Sequence, residues 1–401
     1  MKLSYRNITG VSGGPAECSY GTNTLFQRYF PTFSDAPLLA LGMLQWGTTP
    51  IDHYVVNGSR GALTEAEAQE IYEKFRSRGV VLFDTAEGYG GGTSELRLGR
   101  ISQAESKSTN QRPPTSEHEE FDVAENQQII QMTKFLPAPW RFTHTHFELA
   151  LRASNKRMRV SECPIYFLHS PMHLYREIEY WVESAAICKK KGLMKALGLS
   201  NCSAEEVRRA VLAGKKYGVD VIVNQVHFSL LDYSSAALRE MQTTCNEYGV
   251  SIIAYNALGQ GLLTDALTQE KFADNKPAKM LHIQWSDLIP LRLALRKIAD
   301  THSEKINRRV SMAQVSINWC RAHKTIPLVG CRSQEQATDT LSSLDWELSS
   351  QEVEELDALA LSRCTLDSPK WRRKLFVVLA GVIMTMCRWM AVLGWGQIGA
   401  S

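Results

Sequence analysis

Eight short apolar runs, separated by longer amphipathic segments, constrain the fold of this 401-residue chain more than any other feature of its sequence. The runs are LLALGML, VVLFDT, QQIIQMTKF, PIYFLHS, MKALGLS, VIVNQV, SIIAYN and TIPLVG. Between them lie segments with helical periodicity, such as Thr64–Arg78 and Ala204–Tyr217, several of which open with a Ser or Thr suited to a helix N-cap. Apolar strands joined by helices predict a parallel sheet, and eight repeats predict an α/β fold, the (β/α)8 TIM barrel.

A doubly wound open sheet is the structural alternative. No G-x-G-x-x-G follows the first apolar run, so nothing in the sequence marks the dinucleotide site of that fold. Hydrophobic residues make up 44% of the chain and charged residues 22%, which is typical of a globular protein with a sizeable core. The net charge of +3 and the lack of a long basic stripe argue against a nucleic-acid partner and favour a small molecule.

The nine cysteines are scattered, with no C-x-x-C spacing, which argues against a disulfide framework or a zinc site and favours a reducing compartment. Residues 1–37 are predicted to be an irregular N-terminal tail. Their basic, Ser-rich composition also fits a transit peptide, so the predicted location is the cytoplasm or the plastid stroma. Residues 38–362 form the predicted barrel, and the polar stretch 104–126 is predicted to be a disordered inserted loop.

Residues 363–401 are predicted to be a basic linker followed by an apolar segment. The cluster KWRRK precedes Leu375–Ala400, which is long enough to cross a bilayer but contains Arg388, a costly residue near mid-membrane. A tail anchor, a helix on the membrane surface and a helix packed on the barrel all remain open. Residues 375–400 are therefore a candidate membrane contact, and the oligomeric state cannot be read from the sequence.

Polar residues directly follow the apolar runs. Active sites of (β/α)8 barrels lie at the carboxyl ends of the strands, so these residues are expected to meet at one mouth. They are Asp84, Lys134, His169, Ser200, Asn201, Gln225, Tyr255 and Gly330.

Several motifs, in order, resemble the aldo-keto reductase family. They are FDTAEGYGGGTSELRLG, MTKFLPAPWR, YFLHSP, LGLSNCSAEEV, VNQVHFSLLDY, IIAYNALGQGLLT, AQVSINWC and IPLVGCRSQEQ, and they span about four fifths of the chain. The resemblance implies a (β/α)8 barrel that binds NADPH at its mouth and reduces aldehydes or ketones. It places the catalytic tetrad of the family on Asp84, Tyr89, Lys134 and His169.

The tetrad has a physical logic. Hydride transfer to a carbonyl develops negative charge on oxygen, so a proton donor is needed there. A phenol with a pKa of about 10 is a weak donor at neutral pH, and a nearby ammonium is expected to lower that pKa. Lys134 is predicted to supply the ammonium for Tyr89, Asp84 to keep Lys134 charged, and His169 to orient the carbonyl.

The resemblance also implies the cofactor contacts. Ser200, Asn201 and Gln225 would hydrogen-bond the nicotinamide carboxamide, and Tyr255 would stack on its ring. Arg332 would bind the adenosine 2′-phosphate, which favours NADPH over NADH.

Gln336 would contact the adenine. The adenine side departs from the family, because Asp339-Thr340 stands where a Glu-Asn pair is usual.

The alternative function is an NADPH-binding regulatory subunit of a membrane complex with little or no turnover. A non-redox barrel enzyme that uses Asp84 and His169 as acid and base is disfavoured, because it would leave unexplained both Arg332 and the set of Ser200, Asn201 and Gln225. The natural substrate is not readable, because the pocket loops around Tyr54, Trp140 and the stretch after Leu263 indicate only that an apolar or ring-bearing carbonyl could fit.

Overall fold

Eight parallel strands close into a barrel in the computed structural model of the chain. The structure describes residues 24–31, 38–47, 63–109, 128–275, 278–279, 282–369 and, in the C-terminal segment, 371, 373–375, 377–379, 381–382 and 385–386. Each strand pairs with its neighbours in sequence, and β1 pairs with β8. The strands are β1 Ala40–Gly42, β2 Leu82–Asp84, β3 Ile130–Phe135, β4 Cys163–Leu168, β5 Met194–Ser200, β6 Val221–His227, β7 Ser251–Tyr255 and β8 Ile326–Val329. The predicted (β/α)8 barrel is confirmed.

Helices surround the barrel. They are α1 Leu25–Tyr29, α2 Glu65–Ser77, α3 Thr93–Thr109, α4 His144–Met158, α5 Ile178–Lys190, α6 Ala204–Tyr217, α7 Ala236–Tyr248, α8 Gln269–Ala273, α9 Trp285–Ile306, α10 Met312–Ala322, α11 Gln334–Ser342 and α12 Ser350–Leu359. Thr64 and Ser203 cap α2 and α6 as their sequences predict, each in a reciprocal capping box with a glutamate at the third helical position. The caps begin these helices at defined residues and so fix how each one meets the sheet.

The bottom of the barrel is closed by α1, which lies in the stretch predicted to be an irregular tail. Phe26 and Phe30 are buried in the same apolar cluster as interior strand residues such as Ile130, Ile222 and Ile326. Two aromatic rings thus fill the amino end of the barrel. The prediction of an irregular tail was wrong over Leu25–Tyr29, because a five-residue helix leaves too weak a periodic signal to detect.

The polar insertion begins later than the sequence predicts. Helix α3 continues to Thr109, so residues 104–109 are helical, and the rest of the predicted loop to residue 126 lies outside the described residues. Glu105 accepts a hydrogen bond from Arg76 Nε at 2.8 Å and another from the Tyr72 hydroxyl at 2.5 Å. These partners on α2 hold the last turns of α3, and they are too distant in sequence to be recognised there.

The described cysteines, seven in number, are all buried and free of disulfides. Beyond α12 the chain contacts the barrel again, where the amide of Leu361 donates to the carbonyl of Leu230 at 2.7 Å and the amide of Arg363 to that of Leu231 at 2.9 Å. The described residues between 371 and 386 are helical, and we call them the C-terminal helix. Across the part of the chain that the structure describes, no helix is long and apolar enough to cross a membrane.

Candidate active site

The four side chains of the predicted tetrad meet at the carboxyl ends of β2, β3 and β4. Asp84 is the last residue of β2, Lys134 lies one residue before the end of β3, and His169 directly follows β4. Tyr89 lies in the loop after β2, and its ring centroid is 6.0 Å from that of His169 in an edge-on arrangement. Parallel strands in register place these four residues at one mouth, as the sequence predicts.

Lys134 is the centre of this group. Its side chain is fully buried, and its ammonium donates to Asp84 Oδ2 at 2.6 Å, to the Thr85 carbonyl at 2.8 Å and to the Tyr89 hydroxyl at 3.3 Å. An ammonium has three N–H donors, so the chain itself satisfies all of them. The Tyr89 oxygen accepts from Lys134, which leaves its own proton available to another acceptor.

Burial sets the direction of the pKa shift for Asp84 and Tyr89 but not for Lys134. It raises the pKa of Asp84, against the pull of Lys134 and Gln225. Burial also opposes the charge on Lys134, but Asp84 and Tyr89 together outweigh it, so the pKa of Lys134 is raised and the ammonium keeps its proton. The pKa of Tyr89 is raised because burial exceeds the lowering effect of Lys134. The sequence predicted that Lys134 would lower the pKa of Tyr89. Lys134 does act in that direction, but it offsets only part of the rise that burial causes.

His169 is held as a neutral imidazole. Burial, with a smaller contribution from Lys134, lowers its pKa to about 3. A neutral ring has one N–H donor and no charge, so near the mouth it can donate a hydrogen bond without competing with Lys134 for a carboxylate.

Glycines shape the loop that holds Tyr89. Gly90 and Gly91 have φ of 57° and 61°, the left-handed region that glycine enters without penalty. The loop is then anchored by Ser94, whose hydroxyl donates to the Met43 carbonyl at 2.9 Å and lies 2.8 Å from the Thr85 hydroxyl. The glycine cluster of the sequence thus turns the chain directly after the phenol and leads it into α3.

A buried ion pair beside the tetrad was missed by the sequence reasoning. Glu87 is fully buried, pairs with both terminal nitrogens of Arg141, and accepts from the amide of Leu136 at 2.9 Å. Arg141 also donates to the Leu136 carbonyl at 3.0 Å. The pair ties the loop that holds Tyr89 to the loop that follows Lys134. Only the position of Glu87 between Asp84 and Tyr89 hinted at such a role.

A second set of polar residues lies at the ends of β5, β6 and β7. Gln225 donates to Asp84 Oδ1 at 2.8 Å, which joins this set to the tetrad. Tyr255 donates to Asn201 Oδ1 at 2.6 Å, and Asn201 Nδ2 donates to the Ser200 hydroxyl at 3.0 Å. Asn201 has φ of 60°, an uncommon conformation that asparagine tolerates better than most residues. The predicted set is therefore brought together, within reach of the tetrad.

The predicted phosphate and adenine residues lie at the end of β8. Arg332 is half-buried, Gln336 is exposed, and the Arg332 amide donates to Gln336 Oε1 at 2.8 Å across the start of α11. Asp339 faces away, since it accepts from Ser311 at 2.7 Å and from Gln314 at 2.8 Å. The departure from the family at Asp339 is thus used within the fold, in contacts to α10 and its cap.

The C-terminal helix lies on the rim of the same mouth. Val377 is buried against Leu136 and Met172, which follow Lys134 and His169 by two and three residues. Arg373 donates to the Asn201 carbonyl at 2.5 Å and to Glu206 at 2.9 Å. Of the predicted pocket residues, Trp140 lies at this rim, whereas Tyr54 falls outside the described residues.

The donor set fits a nicotinamide dinucleotide phosphate. A carboxamide needs both donors and acceptors, which the Ser200, Asn201 and Gln225 side chains offer, and a phosphate suits a guanidinium at the start of a helix. Arg332 directly precedes Ser333, whose hydroxyl caps α11. The two ends of such a molecule would therefore find matching chemistry on the β5–β6 and β8 sides of the mouth.

Comparison with known proteins gives one family. The model described as "Aldo/keto reductase family" matches residues 38–361. The chain is 30% identical over 339 residues to a chloroplastic pyridoxal reductase of Arabidopsis thaliana, covering 83% of this chain and 85% of that protein. It is 25% identical over 236 residues to an NAD(P)H-dependent 6′-deoxychalcone synthase of Glycine max, covering 55% and 64%.

Solved structures share the fold. A Bacillus halodurans aldo-keto reductase in its holo form superposes with a TM-score of 0.59 at 18% identity, covering 81% of this chain and 92% of that one. A thermostable aldo-keto reductase in complex with the inhibitor epalrestat gives a TM-score of 0.58 at 20% identity, covering 81% and 95%.

Proposed function

This chain belongs to the aldo/keto reductase family, a family of oxidoreductases, and we propose that it reduces an aldehyde or ketone to the alcohol with NADPH as the hydride donor. The observation that carries the proposal is the hydrogen bonding of Lys134, whose three donors join Asp84, the Thr85 carbonyl and the Tyr89 hydroxyl. A purely structural role would not require a fully buried lysine to hydrogen-bond a phenol at the mouth of the barrel.

Tyr89 is the proposed general acid. When bound, NADPH would supply a hydride for the carbonyl carbon. The phenol of Tyr89 gives its proton to the carbonyl oxygen as negative charge develops there. Because burial raises the pKa of Tyr89, the phenol stays protonated between turnovers. Lys134 then stabilises the phenolate that is left behind, and Asp84 keeps Lys134 charged.

His169 is proposed to position the substrate. Its neutral ring lies edge-on to Tyr89, and its N–H would donate to the same carbonyl oxygen. A charged imidazolium there would compete with Tyr89 for the proton transfer, so the lowered pKa of His169 suits a role in orientation.

The cofactor contacts are assigned from the hydrogen-bond donors and acceptors at the mouth of the barrel. We assign the nicotinamide carboxamide to Ser200, Asn201 and Gln225, and the stacking surface to Tyr255. Arg332 is assigned to the 2′-phosphate, which gives the preference for NADPH, and Gln336 to the adenine. The name of the Glycine max relative mentions NAD(P)H, which supports a nicotinamide cofactor without choosing between the two forms.

The proposed location is the cytoplasm or the plastid stroma. The Arabidopsis relative is named chloroplastic, and residues 1–34 have a basic, Ser- and Thr-rich composition that fits a transit peptide. Sequencing the N-terminus of the protein isolated from its own cells tests the stromal assignment. A start near residue 24 supports cleavage of a transit peptide, and a start at Met1 contradicts it.

The first experiment is NADPH oxidation by the full chain, offered pyridoxal and a panel of aromatic and aliphatic aldehydes. Tyr89→Phe is the test variant. Tyr217→Phe is the matched control, because Tyr217 also has a lysine ammonium over its ring, 4.9 Å from the centroid, but lies at the end of α6. Turnover that is lost in Tyr89→Phe and kept in Tyr217→Phe supports the proposal. Tight NADPH binding without turnover of any substrate would favour a regulatory NADPH-binding role.

A further inference from the structure

The outward face of the C-terminal helix is apolar along its described length. Five of its described apolar side chains are between 44% and 61% exposed and recur at helical spacing on one side, at Trp371, Leu375, Leu379, Val382 and Met386. We call them the apolar stripe. A run of this kind on a protein surface marks an interaction site, because contiguous apolar patches are rarely left in water.

The opposite face of the same helix is already occupied by the barrel. Arg373 is bound to Glu206 and to the Asn201 carbonyl, and Val377 is buried against Leu136 and Met172. A Cβ added at Gly381 would lie 2.9 Å from the Ala138 Cβ, so the helix backbone approaches the loop after β3 closely. The helix is thus held on the barrel by one side and presents the apolar stripe with the other.

Exposed aromatic side chains lie on the rim of the mouth beside the C-terminal helix. The Trp140 ring is 3.1 Å from the Cβ position at Gly381, and both Trp140 and Phe142 are more than 40% exposed. The loop after β4 is joined to the loop after β3, because Arg176 donates to the Phe142 carbonyl at 2.9 Å. Tyr175, beside Arg176, is 72% exposed. Tryptophan and tyrosine are the side chains that favour the interface between a bilayer and water.

The charge of this segment has one sign. From Ser368 to Ser401 the sequence contains no Asp or Glu, and its basic residues are Lys370, Arg372, Arg373, Lys374 and Arg388. Arg373 is paired with Glu206, and the other four basic residues belong to the same stretch of the sequence as the apolar stripe. Basic residues beside a bulky apolar face are the signature of a helix that lies in the interface of an anionic bilayer.

We propose that the C-terminal helix is a docking surface for an anionic lipid bilayer, with its apolar stripe in the interface and the mouth of the barrel beside the lipid. A second copy of this chain is the less suitable occupant. A two-fold contact through the stripe would bring two basic segments together, and like charges oppose such an interface. The inference concerns binding alone, so it stands or falls independently of turnover.

Vesicle flotation of the full chain tests the proposal. The probes are vesicles of phosphatidylcholine with and without phosphatidylglycerol, at low and high salt. The test variant is Leu375→Gln/Leu379→Gln, and the matched control is Leu212→Gln/Leu293→Gln, which alters two leucines that are 53% and 65% exposed on α6 and α9. Thermal unfolding of each variant verifies that the barrel is intact.

The expected result is salt-sensitive binding to the phosphatidylglycerol vesicles, weakened roughly tenfold by the stripe variant and unchanged by the control. Lys370→Gln/Arg372→Gln should weaken binding to the same vesicles and reduce its salt dependence. Binding that is unaffected by the stripe variant would overturn the proposal, as would an absence of binding to either vesicle. A dimer without lipid that the stripe variant dissociates, together with no vesicle binding, would assign the stripe to a second copy instead.

Discussion

The two ends of the proposed cofactor site differ in how deeply their residues are buried. At the tetrad, Asp84 and Lys134 are buried, and Asp84 accepts hydrogen bonds from both Lys134 and Gln225. At the end of β8, Arg332 is half-buried and Gln336 is exposed. The tetrad is thus enclosed by the fold, whereas the β8 end of the site lies nearer the surface.

Because of this difference, we expect substitutions at the tetrad to lower the rate of the chemical step and substitutions at the β8 end to weaken cofactor binding. Groups held in place by burial and mutual hydrogen bonds act on the reacting atoms without reorganising, so changes there are expected to lower the rate of the chemical step. A surface guanidinium contributes binding energy far from those atoms, so changes there are expected to alter cofactor affinity.

The largest effect is expected for Lys134→Met. Turnover should fall by about 10²–10⁴-fold, because Tyr89 loses the cation that stabilises its phenolate. The variant should also lose about 3–5 kcal/mol of unfolding free energy, because Asp84 is left as a buried carboxyl without its cation. Steady-state kinetics and urea unfolding measure the two effects.

The double variant Asp84→Asn/Lys134→Met separates these effects. Removing both charges should restore most of the unfolding free energy, because no uncompensated charge stays buried, but it should not restore turnover. Recovery of turnover along with stability would mean that Lys134 serves the fold alone.

A smaller effect, and one on affinity, is expected for Arg332→Gln. The dissociation constant for NADPH should rise roughly 10- to 100-fold through loss of a charge-assisted contact to the 2′-phosphate, with that for NADH almost unchanged. Fluorescence titration with both cofactors is the measurement. Equal weakening of both would show that Arg332 does not read the 2′-phosphate.

Glu87→Gln tests the buried pair that joins the two loops of the tetrad. The amide retains the shape of Glu87 but leaves Arg141 without its counter-charge, so kcat should fall by about tenfold with KM for NADPH unchanged, as the loop that holds Tyr89 loosens. Glu355→Gln is the matched control. It removes the partner of Lys297 in an ion pair where Glu355 is 38% and Lys297 70% exposed, and should have little effect on either quantity.

The smallest effect is expected from pH. Burial lowers the pKa of His169 to about 3, well below the ordinary pKa of histidine. The ring therefore stays neutral as the pH falls from about 8 to about 5. The rate of carbonyl reduction at saturating NADPH should therefore have no acid limb in that window. An acid limb near pH 6 that is absent in His169→Asn would contradict the neutral assignment.

The barrel and the meeting of the tetrad residues at one mouth could both be predicted from the sequence, because each depends on a local sequence pattern. Eight apolar runs specify the strands, and polar residues such as Asp84 and Lys134 stand at their ends. The contacts that it did not predict join segments distant in the chain. Glu105 with Tyr72, Glu87 with Arg141, and Arg373 with Glu206 depend on packing that no periodicity encodes.

Closure of the barrel bottom by Phe26 and Phe30 belongs to the same class. Two aromatic rings in and directly after a five-residue helix form no recognisable sequence pattern. Their role follows only once the strands enclose a space for them to fill. The net direction of the Tyr89 pKa was also beyond the sequence, because it depends on burial as well as on the presence of Lys134.

The most direct test of the separation between rate and affinity is a single-turnover measurement on Tyr89→Phe and Arg332→Gln, each loaded with saturating NADPH and mixed with the best aldehyde. The account predicts that Tyr89→Phe binds NADPH normally and slows hydride transfer by about 10²–10⁴-fold, while Arg332→Gln transfers hydride at nearly the normal rate once loaded. A Tyr89→Phe variant that transfers hydride at the normal rate, or an Arg332→Gln variant that is slowed as much as Tyr89→Phe, would contradict it.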